Sequence, residues 1–282
     1  MATINRIGVI GCGQMGGGIA QVAAQSGYQV TMFDVSGSQL EKAMTGMEKS
    51  LTKLSEKGKL KGTVAEVIKR VRPVSQIEEL GNCDFVIEAA SENRELKLKL
   101  FGDLDRIVPK GAILCTNTSS ISITEIARQT SRAEKVAGMH FMNPVPLMSL
   151  VEGIRGLATS NETFKIVREV AESMGKVFIE AKDAPGFVVN RVLLPFINEA
   201  FFALQEGLAS PKDIDQAIRL GLNHPMGPFE LADYVGLDVC LSVMEILHRD
   251  LGDSKYRPAP LLRKYVEAGW FGKKTGRGVY VY

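Results

Sequence analysis

The sequence has few cysteines and no long apolar run. Its four cysteines are Cys12, Cys83, Cys115 and Cys240, and they do not show the close spacing of a zinc site. Three of them fall in or beside predicted strands or a glycine-rich turn, so we predict reduced, buried thiols and no metal centre. The apolar runs are far shorter than a membrane span, which argues against a membrane protein.

The sequence also lacks a surplus of either charge. It has 34 basic and 32 acidic residues, a formal net charge of +2, and no basic tail or tract, so nucleic acid is not an expected partner. The first predicted strand begins at about Asn5 and leaves no room for a signal peptide, so we expect a cytoplasmic protein. With 282 residues, 45% of them hydrophobic, the chain should form two domains.

What the sequence does contain is a glycine-rich turn near its start. The apolar run over residues 6–10 predicts a short buried strand that leads into Gly11-x-Gly13-x-x-Gly16 and a helix. In a dinucleotide-binding turn, the first glycine allows the sharp bend, the second lets the backbone approach a pyrophosphate, and the third lets the helix pack on the strand. The amides at the start of the helix face the phosphates. A sequence with 28 glycines in 282 residues can contain such a pattern by chance, so the sequence around the turn is needed to identify a dinucleotide-binding site.

That context is supplied by the next apolar run, residues 28–33, which ends on Asp34, 18 positions after the last glycine of the turn. An acid ending the second strand is placed to bind the adenosine ribose hydroxyls and to repel the 2′-phosphate of NADP, so NAD is the expected cofactor. In the alternative interpretation, Asp34 is only the N-cap of a helix that begins near Ser36. The joint pattern favours a Rossmann unit at the beginning of the chain.

Predicted strands and helices alternate through the first two thirds of the sequence. Apolar runs over residues 83–90 and 112–115 predict buried strands, with a helix over about 94–107 between them. This alternation predicts an α/β fold, with a Rossmann-type, doubly wound, mostly parallel sheet in a domain spanning residues 1–185. The stretch 39–72 is too long for a simple crossover and predicts an inserted pair of helices.

The remaining sequence, residues 186–282, is apolar at helical spacing. Helices are predicted over about 187–206, 211–220, 229–251 and 259–268. We therefore expect a second, smaller, all-helical domain. A helix as apolar as the first of these must be covered on most sides, and a homodimer interface through this domain would provide part of that cover.

Polar residues follow three predicted strands, at the sheet edge where open parallel sheets bind ligands. They are residues 117–120, His140 and Glu152. Histidine suits the removal of an alcohol proton because its pKa lies near neutrality. Glu152 either holds His140 in one tautomer or is a plain surface acid. Ser119 either orients a substrate or only caps the following helix.

The other polar candidates lie in the helical part of the sequence. Asn190 falls in the first turn of an apolar helix, where its side chain needs a partner. His224 lies in a turn-rich loop, and the position of His248 late in a helix is explained by the helix C-terminus. His140 is therefore the catalytic candidate among the three histidines.

Lysines recur every four residues at Lys49, Lys53 and Lys57, which places them on one face of a predicted helix. This face is either an ordinary solvated surface or a row of charges that attracts a polyanionic substrate.

Several of these motifs together resemble those of the 3-hydroxyacyl-CoA dehydrogenases, most closely the short-chain bacterial 3-hydroxybutyryl-CoA dehydrogenases. The resemblance covers essentially the whole length and keeps the order and spacing of the motifs. The matching stretches are GCGQMG (11–16), NTSS (117–120), GMHFMNP (138–144), LVE (150–152), PGFVVNR (185–191), HPMGP (224–228) and GKKTGRG (272–278).

The resemblance implies a role for each matching position. His140 takes the position of the general base for the 3-hydroxyl proton, and Glu152 that of its paired acid. Ser119 and Asn190 match groups that hold the substrate's oxygens and the histidine. The positions implied in cofactor binding are Gly11, Gly13, Gln14, Met15, Gly16, Asp34, Ala90, Glu92, Lys97, Asn117, Ser119, Asn143 and Lys274.

The resemblance also implies a substrate. Lys53 and Lys57 match a helix that meets the coenzyme A moiety, which favours the polyanion interpretation of the lysine row. The implied reaction interconverts (S)-3-hydroxybutyryl-CoA and acetoacetyl-CoA with NAD, in a homodimer. The alternatives are a dehydrogenase of a free hydroxy acid or a sugar-derived hydroxyl, and a non-catalytic NAD(H)-binding protein. A protein that only binds NAD(H) has no need of the four polar residues Ser119, His140, Glu152 and Asn190 together, which argues against the last alternative.

Overall fold

The computed structural model describes residues 4–282, which form two compact units divided between Ala184 and Pro185. Within the described residues of the first unit, eight strands form one sheet in the order β3-β2-β1-β4-β5-β6-β7-β8. The first six strands are parallel, and the predicted Rossmann-type, mostly parallel sheet is confirmed. The strands are β1 (Arg6–Ile10), β2 (Gln29–Phe33), β3 (Val71–Val74), β4 (Phe85–Glu88), β5 (Ile113–Thr116), β6 (Val136–Phe141), β7 (Leu150–Arg155) and β8 (Val177–Lys182).

The central strands are buried on both faces because helices cover the sheet. Every residue of β4 and β5 is buried, which explains their continuous apolar sequence. The four cysteines are buried free thiols, as predicted. The helices of this unit are α1 (Gln14–Gln25), α2 (Gly37–Glu56), α3 (Val64–Ile68), α4 (Arg94–Ile107), α5 (Ile123–Ala127) and α6 (Asn161–Ser173).

The stretch 39–72 contains α2 and α3, but it runs into a strand that the sequence did not indicate. β3 has only four residues, and its middle two, Arg72 and Pro73, are exposed. It pairs with β2 at the edge of the sheet, where a proline is tolerated. A strand this short, with a charge and a proline at its centre, has no apolar periodicity to reveal it.

The direction of β7 corrects a second expectation. Glu152 was expected at the carboxyl end of a strand, but it is the third residue of β7. β7 runs antiparallel to β6, so its beginning lies at the edge where the parallel strands end. Glu152 therefore lies at the predicted edge of the sheet, but near the beginning of its strand and not at its end.

The second unit consists of helices with 3₁₀ turns and two isolated β-bridges among the described residues. The single helix expected over 229–251 is instead two helices, because Gly236 between them has a φ of 106° that interrupts helical geometry. Phe201 and Phe229 pack edge to face at its core, with centroids 5.1 Å apart. The helices are α7 (Val189–Gln205), α8 (Pro211–Leu222), α9 (Pro228–Val235), α10 (Leu237–Leu251) and α11 (Pro260–Glu267).

Candidate active site

The glycine turn joins β1 to α1, and two of its glycines are required by close contacts. Gly11 has a φ of 86°, and a Cβ there would lie 2.7 Å from the carbonyl oxygen of Ala89. A Cβ on Gly16 would lie 1.7 Å from the carbonyl oxygen of Gly11. A Cβ on Gly13 would meet no atom within 4 Å, so the backbone at Gly13 is open to an approaching group. Gly13 is also the N-cap of α1, so the turn and helix start fit a pyrophosphate.

A cavity of about 460 Å³ opens beside this turn. One wall is the start of α1, another is the face of α2 toward it, and the third is the loop after β6. The lining residues are Cys12, Gly13, Gln14, Gly17, Gly18, Gln21, Gln39, Lys42, Ala43, Gly46, Met47, Ser50, Asn143, Pro144, Val145 and Pro146.

Asp34 follows β2 directly and lies beside the turn. Its carboxylate accepts hydrogen bonds from the backbone amides of Cys12 (2.8 Å) and Ser36 (2.9 Å). The N-cap of α2 is Ser36, whose side chain accepts from the Gln39 amide, so the interpretation of Asp34 as the N-cap is wrong. The carboxylate is half-buried at the end of β2.

Three polar side chains form a hydrogen-bonded chain at the edge of the sheet. Nδ1 of His140 lies 2.7 Å from Oε2 of Glu152, and Nε2 lies 3.0 Å from Oγ of Ser119. Glu152 is fully buried and His140 is nearly so. The carboxylate accepts a hydrogen bond from Nδ1–H, so a neutral ring carries its lone pair on Nε2. The geometry therefore leaves Nε2 as the basic atom.

Asn117 joins the ends of two neighbouring strands. It follows β5 directly, and its Oδ1 accepts a hydrogen bond of 2.8 Å from the backbone amide of Phe141, the residue after His140. This bond fixes the end of β6.

A buried ion pair lies behind the loop that carries Ser119. The ammonium of Lys97 is 2.6 Å from Oε1 of Glu88 and 3.4 Å from Oε2 of Glu92, and both Lys97 and Glu88 are almost completely buried. Sequence reasoning missed Glu88 as a site residue. Its signal was available, because Glu88 ends an apolar strand just as Asp34 follows one.

The loop after β6, which walls the cavity, is held by a second buried lysine. Lys176 donates hydrogen bonds to the carbonyl oxygens of Val145 (2.5 Å) and Met148 (2.8 Å). Burial lowers its pKa below the usual range for lysine. Val145 in turn packs over Gly18 of α1, where a Cβ would lie 2.9 Å from Cβ of Val145. Lys176 was also missed, because nothing in its local sequence distinguishes it from a surface lysine.

Both units of the chain match models of one family. Residues 6–184 match the 3-hydroxyacyl-CoA dehydrogenase, NAD binding domain, and residues 186–282 match the 3-hydroxyacyl-CoA dehydrogenase, C-terminal domain. The chain belongs to the 3-hydroxyacyl-CoA dehydrogenase family. The resemblance seen in its motifs is confirmed, and its first unit is the NAD-binding domain of that family.

Similar members of this family match nearly the whole length of the chain. The chain is 56% identical to a probable 3-hydroxybutyryl-CoA dehydrogenase of Bacillus subtilis, over 99% of this chain and 98% of that protein. It is 49% identical to a 3-hydroxybutyryl-CoA dehydrogenase of Bradyrhizobium diazoefficiens, over 100% and 96%. The crystal structure of (S)-3-hydroxybutyryl-CoA dehydrogenase from Ralstonia eutropha superposes with a TM-score of 0.96 at 50% identity, over 99% of both chains.

The lysine row of this 3-hydroxyacyl-CoA dehydrogenase is open to solvent. Lys49, Lys53 and Lys57 are all exposed, the first two on α2 and the third at its C-cap. Within residues 4–282, none of the three takes part in an ion pair. Their charges are therefore available to a ligand.

The candidates in the second unit lie on different elements of that unit. Asn190 is half-buried at the second residue of α7. The ammonium of Lys274 lies 2.7 Å from Oδ2 of Asp238. His224 donates from Nδ1 to the carbonyl oxygen of Met226 at 2.6 Å, and His248 lies in the last turn of α10.

Two further properties concern the described chain as a whole. None of its helices has the length and apolar character needed to span a membrane. Over residues 4–282 there is no cluster of three histidine, cysteine or acidic side chains suited to a metal ion.

Proposed function

We propose that this 3-hydroxyacyl-CoA dehydrogenase interconverts (S)-3-hydroxybutyryl-CoA and acetoacetyl-CoA with NAD. The observation that carries the proposal is the hydrogen-bonded chain of Ser119, His140 and Glu152 at the sheet edge that also bears the glycine turn. The similar proteins of Bradyrhizobium diazoefficiens and Ralstonia eutropha are both named 3-hydroxybutyryl-CoA dehydrogenases, which supports the proposed substrate.

NAD is the cofactor that the first unit is built to hold. The backbone at Gly13 and the start of α1 would receive the pyrophosphate, and Asp34 the ribose hydroxyls. A carboxylate at that point repels the 2′-phosphate of NADP. When bound, NAD supplies the carrier for the hydride of the substrate's 3-carbon. Further contacts are proposed for Gln14, Met15, Ala90, Lys97, Asn117, Ser119, Asn143 and Lys274. The resemblance also implies a cofactor contact for Glu92, but its carboxylate is bonded to the turn that carries Ser119.

His140 moves the proton of the reaction. Its Nε2 takes the proton of the 3-hydroxyl during oxidation and returns it during reduction. Glu152 holds Nδ1–H at 2.7 Å, which keeps the basic lone pair on Nε2 and stabilises the imidazolium that forms. Because Glu152 is buried away from water, its charge acts on the ring with little screening.

Ser119 holds the reacting oxygen in place. Its hydroxyl is 3.0 Å from Nε2, so an oxygen that bonds to Nε2 lies within reach of Ser119 as well. We propose Asn190 as a second polar group for the substrate, on the basis of its match to the family's PGFVVNR stretch. Donors aimed at the developing alkoxide lower the barrier because they are already oriented.

The coenzyme A moiety is proposed to bind along α2. Lys53 and Lys57 carry free positive charges, and Gly46 and Ser50, each seven residues earlier and so on the same face of α2, line the cavity beside the glycine turn. Phosphates of coenzyme A would be attracted there, and a free hydroxy acid would leave these charges without a role.

The test measures the oxidation of NADH by acetoacetyl-CoA at a fixed enzyme concentration. Parallel assays replace acetoacetyl-CoA with free acetoacetate, or NADH with NADPH. We expect oxidation of NADH by the thioester. His140→Ala should lose about 10²–10⁴-fold in turnover while still binding NADH, and His248→Ala serves as the matched control. No oxidation with the thioester would overturn the proposal, and equal rates with free acetoacetate would support the hydroxy-acid alternative.

The assembly and location are part of the proposal. We propose a cytoplasmic homodimer that forms through the second unit, where Val192, Leu208, Leu220 and Leu222 are at least 65% exposed. An apolar groove of about 320 Å³ between α7 and α8 lies in the same unit. Sedimentation equilibrium should give twice the chain mass of 30.7 kDa. A monomer at micromolar concentration would contradict the dimer.

A further inference from the structure

The carboxylate of Glu92 is bonded to the turn that carries Ser119. Its Oε1 accepts from Oγ1 of Thr118 at 2.6 Å and from the backbone amide of Ser119 at 2.8 Å. It also accepts from the amide of Ser120 at 3.1 Å and from the hydroxyl of Ser120 at 3.0 Å. Four donors converge on one oxygen, so this oxygen has no capacity left for a ligand.

The other oxygen of Glu92 is tied to the interior of the sheet. Lys97 approaches Oε2 at 3.4 Å and is itself held at 2.6 Å by Oε1 of Glu88 and at 3.2 Å by the carbonyl oxygen of Ala90. Oε2 of Glu88 accepts from Oγ1 of Thr116 at 2.6 Å. Lys97 is 1% exposed and Glu88 is fully buried, so Oε2 of Glu92 is paired with a buried lysine and not with a mobile surface side chain.

The two sets of contacts connect the ends of β4 and β5 to the catalytic histidine. The Ser119 hydroxyl lies 3.0 Å from Nε2 of His140. Ser119 belongs to the turn whose donors bond to Glu92. Without Glu92, the Ser119 amide and the hydroxyls of Thr118 and Ser120 lose their acceptor, and the Ser120 amide keeps only its 3.3 Å bond to Oγ1 of Thr118. An unsatisfied turn would relax away from its present geometry.

We propose that Glu92 is a positioning residue, which Lys97 and Glu88 hold in place so that the turn presents the Ser119 hydroxyl to His140. The proposal rests on the proposed function, because it assigns Glu92 a part in the same proton transfer. This role differs from direct binding of the cofactor by Glu92. In that case Oε2 of Glu92 would contact the cofactor, and the effect of removing Glu92 would not depend on Ser119.

A double-mutant cycle separates these two roles. Glu92→Ala should lower kcat by about 10- to 100-fold, the cost of a small misplacement, with little change in the KM for NADH. In a Ser119→Ala background the same substitution should cost less than about threefold, because residues that act through one another are not additive. Full additivity, or a raised KM for NADH at unchanged kcat, would overturn the proposal.

A measurement without turnover tests the same contacts. Hydrogen–deuterium exchange of peptides covering residues 116–122 should accelerate in Glu92→Ala, since the Ser119 amide loses its acceptor and the Ser120 amide loses the shorter of its two bonds. Glu95→Ala removes a carboxylate from the first turn of α4, three residues after Glu92, and should leave this exchange unchanged. Unchanged exchange in Glu92→Ala would refute the positioning role. If the unmodified enzyme did not oxidise NADH with acetoacetyl-CoA but exchange was still accelerated in Glu92→Ala, the result would count against the proposed function and not against the contacts of Glu92.

Discussion

His140 and Glu152 are direct cross-strand partners in the antiparallel pair β6 and β7, with Nδ1 and Oε2 2.7 Å apart. The contact is therefore set by the backbone ladder and does not depend on a flexible loop. The Cβ atoms of directly opposed residues lie about 4.5–5.5 Å apart, close enough for their side chains to interact. This rigidity suits a carboxylate that must keep one histidine tautomer through many turnovers.

The first prediction concerns that carboxylate. Glu152→Gln should lower turnover by about 10- to 10⁴-fold, because an amide can present its NH₂ group to Nδ1 and so favour the wrong tautomer. Since Glu152 acts through His140, the variant combined with His140→Ala should be no slower than His140→Ala alone. Glu180→Gln, on the exposed edge strand β8, is the control for loss of charge. A fully active Glu152→Gln would mean that the pair has no part in proton transfer.

The second prediction concerns the choice of dinucleotide. Asp34→Asn removes the negative charge and keeps only one acceptor oxygen, so one of the two amides that bond to Asp34, Cys12 or Ser36, loses its partner. The ratio of kcat/KM for NADPH to that for NADH should therefore rise, since a 2′-phosphate is no longer repelled. Circular dichroism should confirm that the variant folds. An unchanged ratio would count against binding of the ribose by Asp34.

The sequence was sufficient to predict the parts of this site that depend on local pattern. The turn from Gly11 to Gly16 could be predicted because its glycines are required locally: Gly11 lies against the backbone of Ala89 and Ala90, and Gly16 lies against the backbone of Gly11. The pairing of His140 with Glu152 was one of two open interpretations, and the direction of β7 was wrong. A buried strand has the same apolar pattern whichever way it runs, so its direction depends on distant neighbours.

The burial of two lysines was the other feature that the local sequence could not reveal. Lys97 and Lys176 look like ordinary surface charges in their local sequence, yet both are buried. Each is stabilised by partners far along the chain or across a turn, such as the carbonyl of Val145, which lies 31 residues from Lys176. Only the fold brings such partners together.

The third prediction concerns a glycine next to Glu152. A Cβ on Gly153 would lie 1.8 Å from Cζ of Phe178, and Phe178 is held by an edge contact with Phe164. Gly153→Ala should therefore lower the free energy of unfolding by about 1–3 kcal/mol through overpacking, as measured by urea denaturation.

Two further variants test this explanation. Adding Phe178→Leu should recover part of the loss, because a smaller side chain makes room for the new methyl group. Gly102→Ala, inside α4, places its Cβ at an ordinary 3.8 Å from the nearest atom and should be neutral or stabilising by up to about 1 kcal/mol. Equal effects at both glycines would contradict the steric explanation.

The last prediction concerns stability in acid. Burial of the Asp105 carboxyl tends to raise its pKa, but hydrogen bonds from Ser131 and the Arg132 guanidinium outweigh this and lower the pKa to about 2. Because the folded pKa lies below the ordinary value of 3.8, the carboxylate adds about 2 kcal/mol of stability above pH 5. That contribution should be lost as the pH falls from about 5 toward 2, and roughly half of it by pH 3.

The comparison of wild type with Asp105→Asn measures this contribution directly. At pH 7 the variant should be less stable by at least about 2 kcal/mol, since the substitution also leaves Arg132, only 2% exposed, without its counter-charge. Urea unfolding between pH 7 and 3 should show the gap narrowing as the pH falls, because acid protonates Asp105 in the wild type while asparagine does not titrate. Asp103→Asn removes a more exposed carboxylate from the same helix and should cost less. A gap that stayed constant with pH would show that Asp105 contributes through packing and not through its charge.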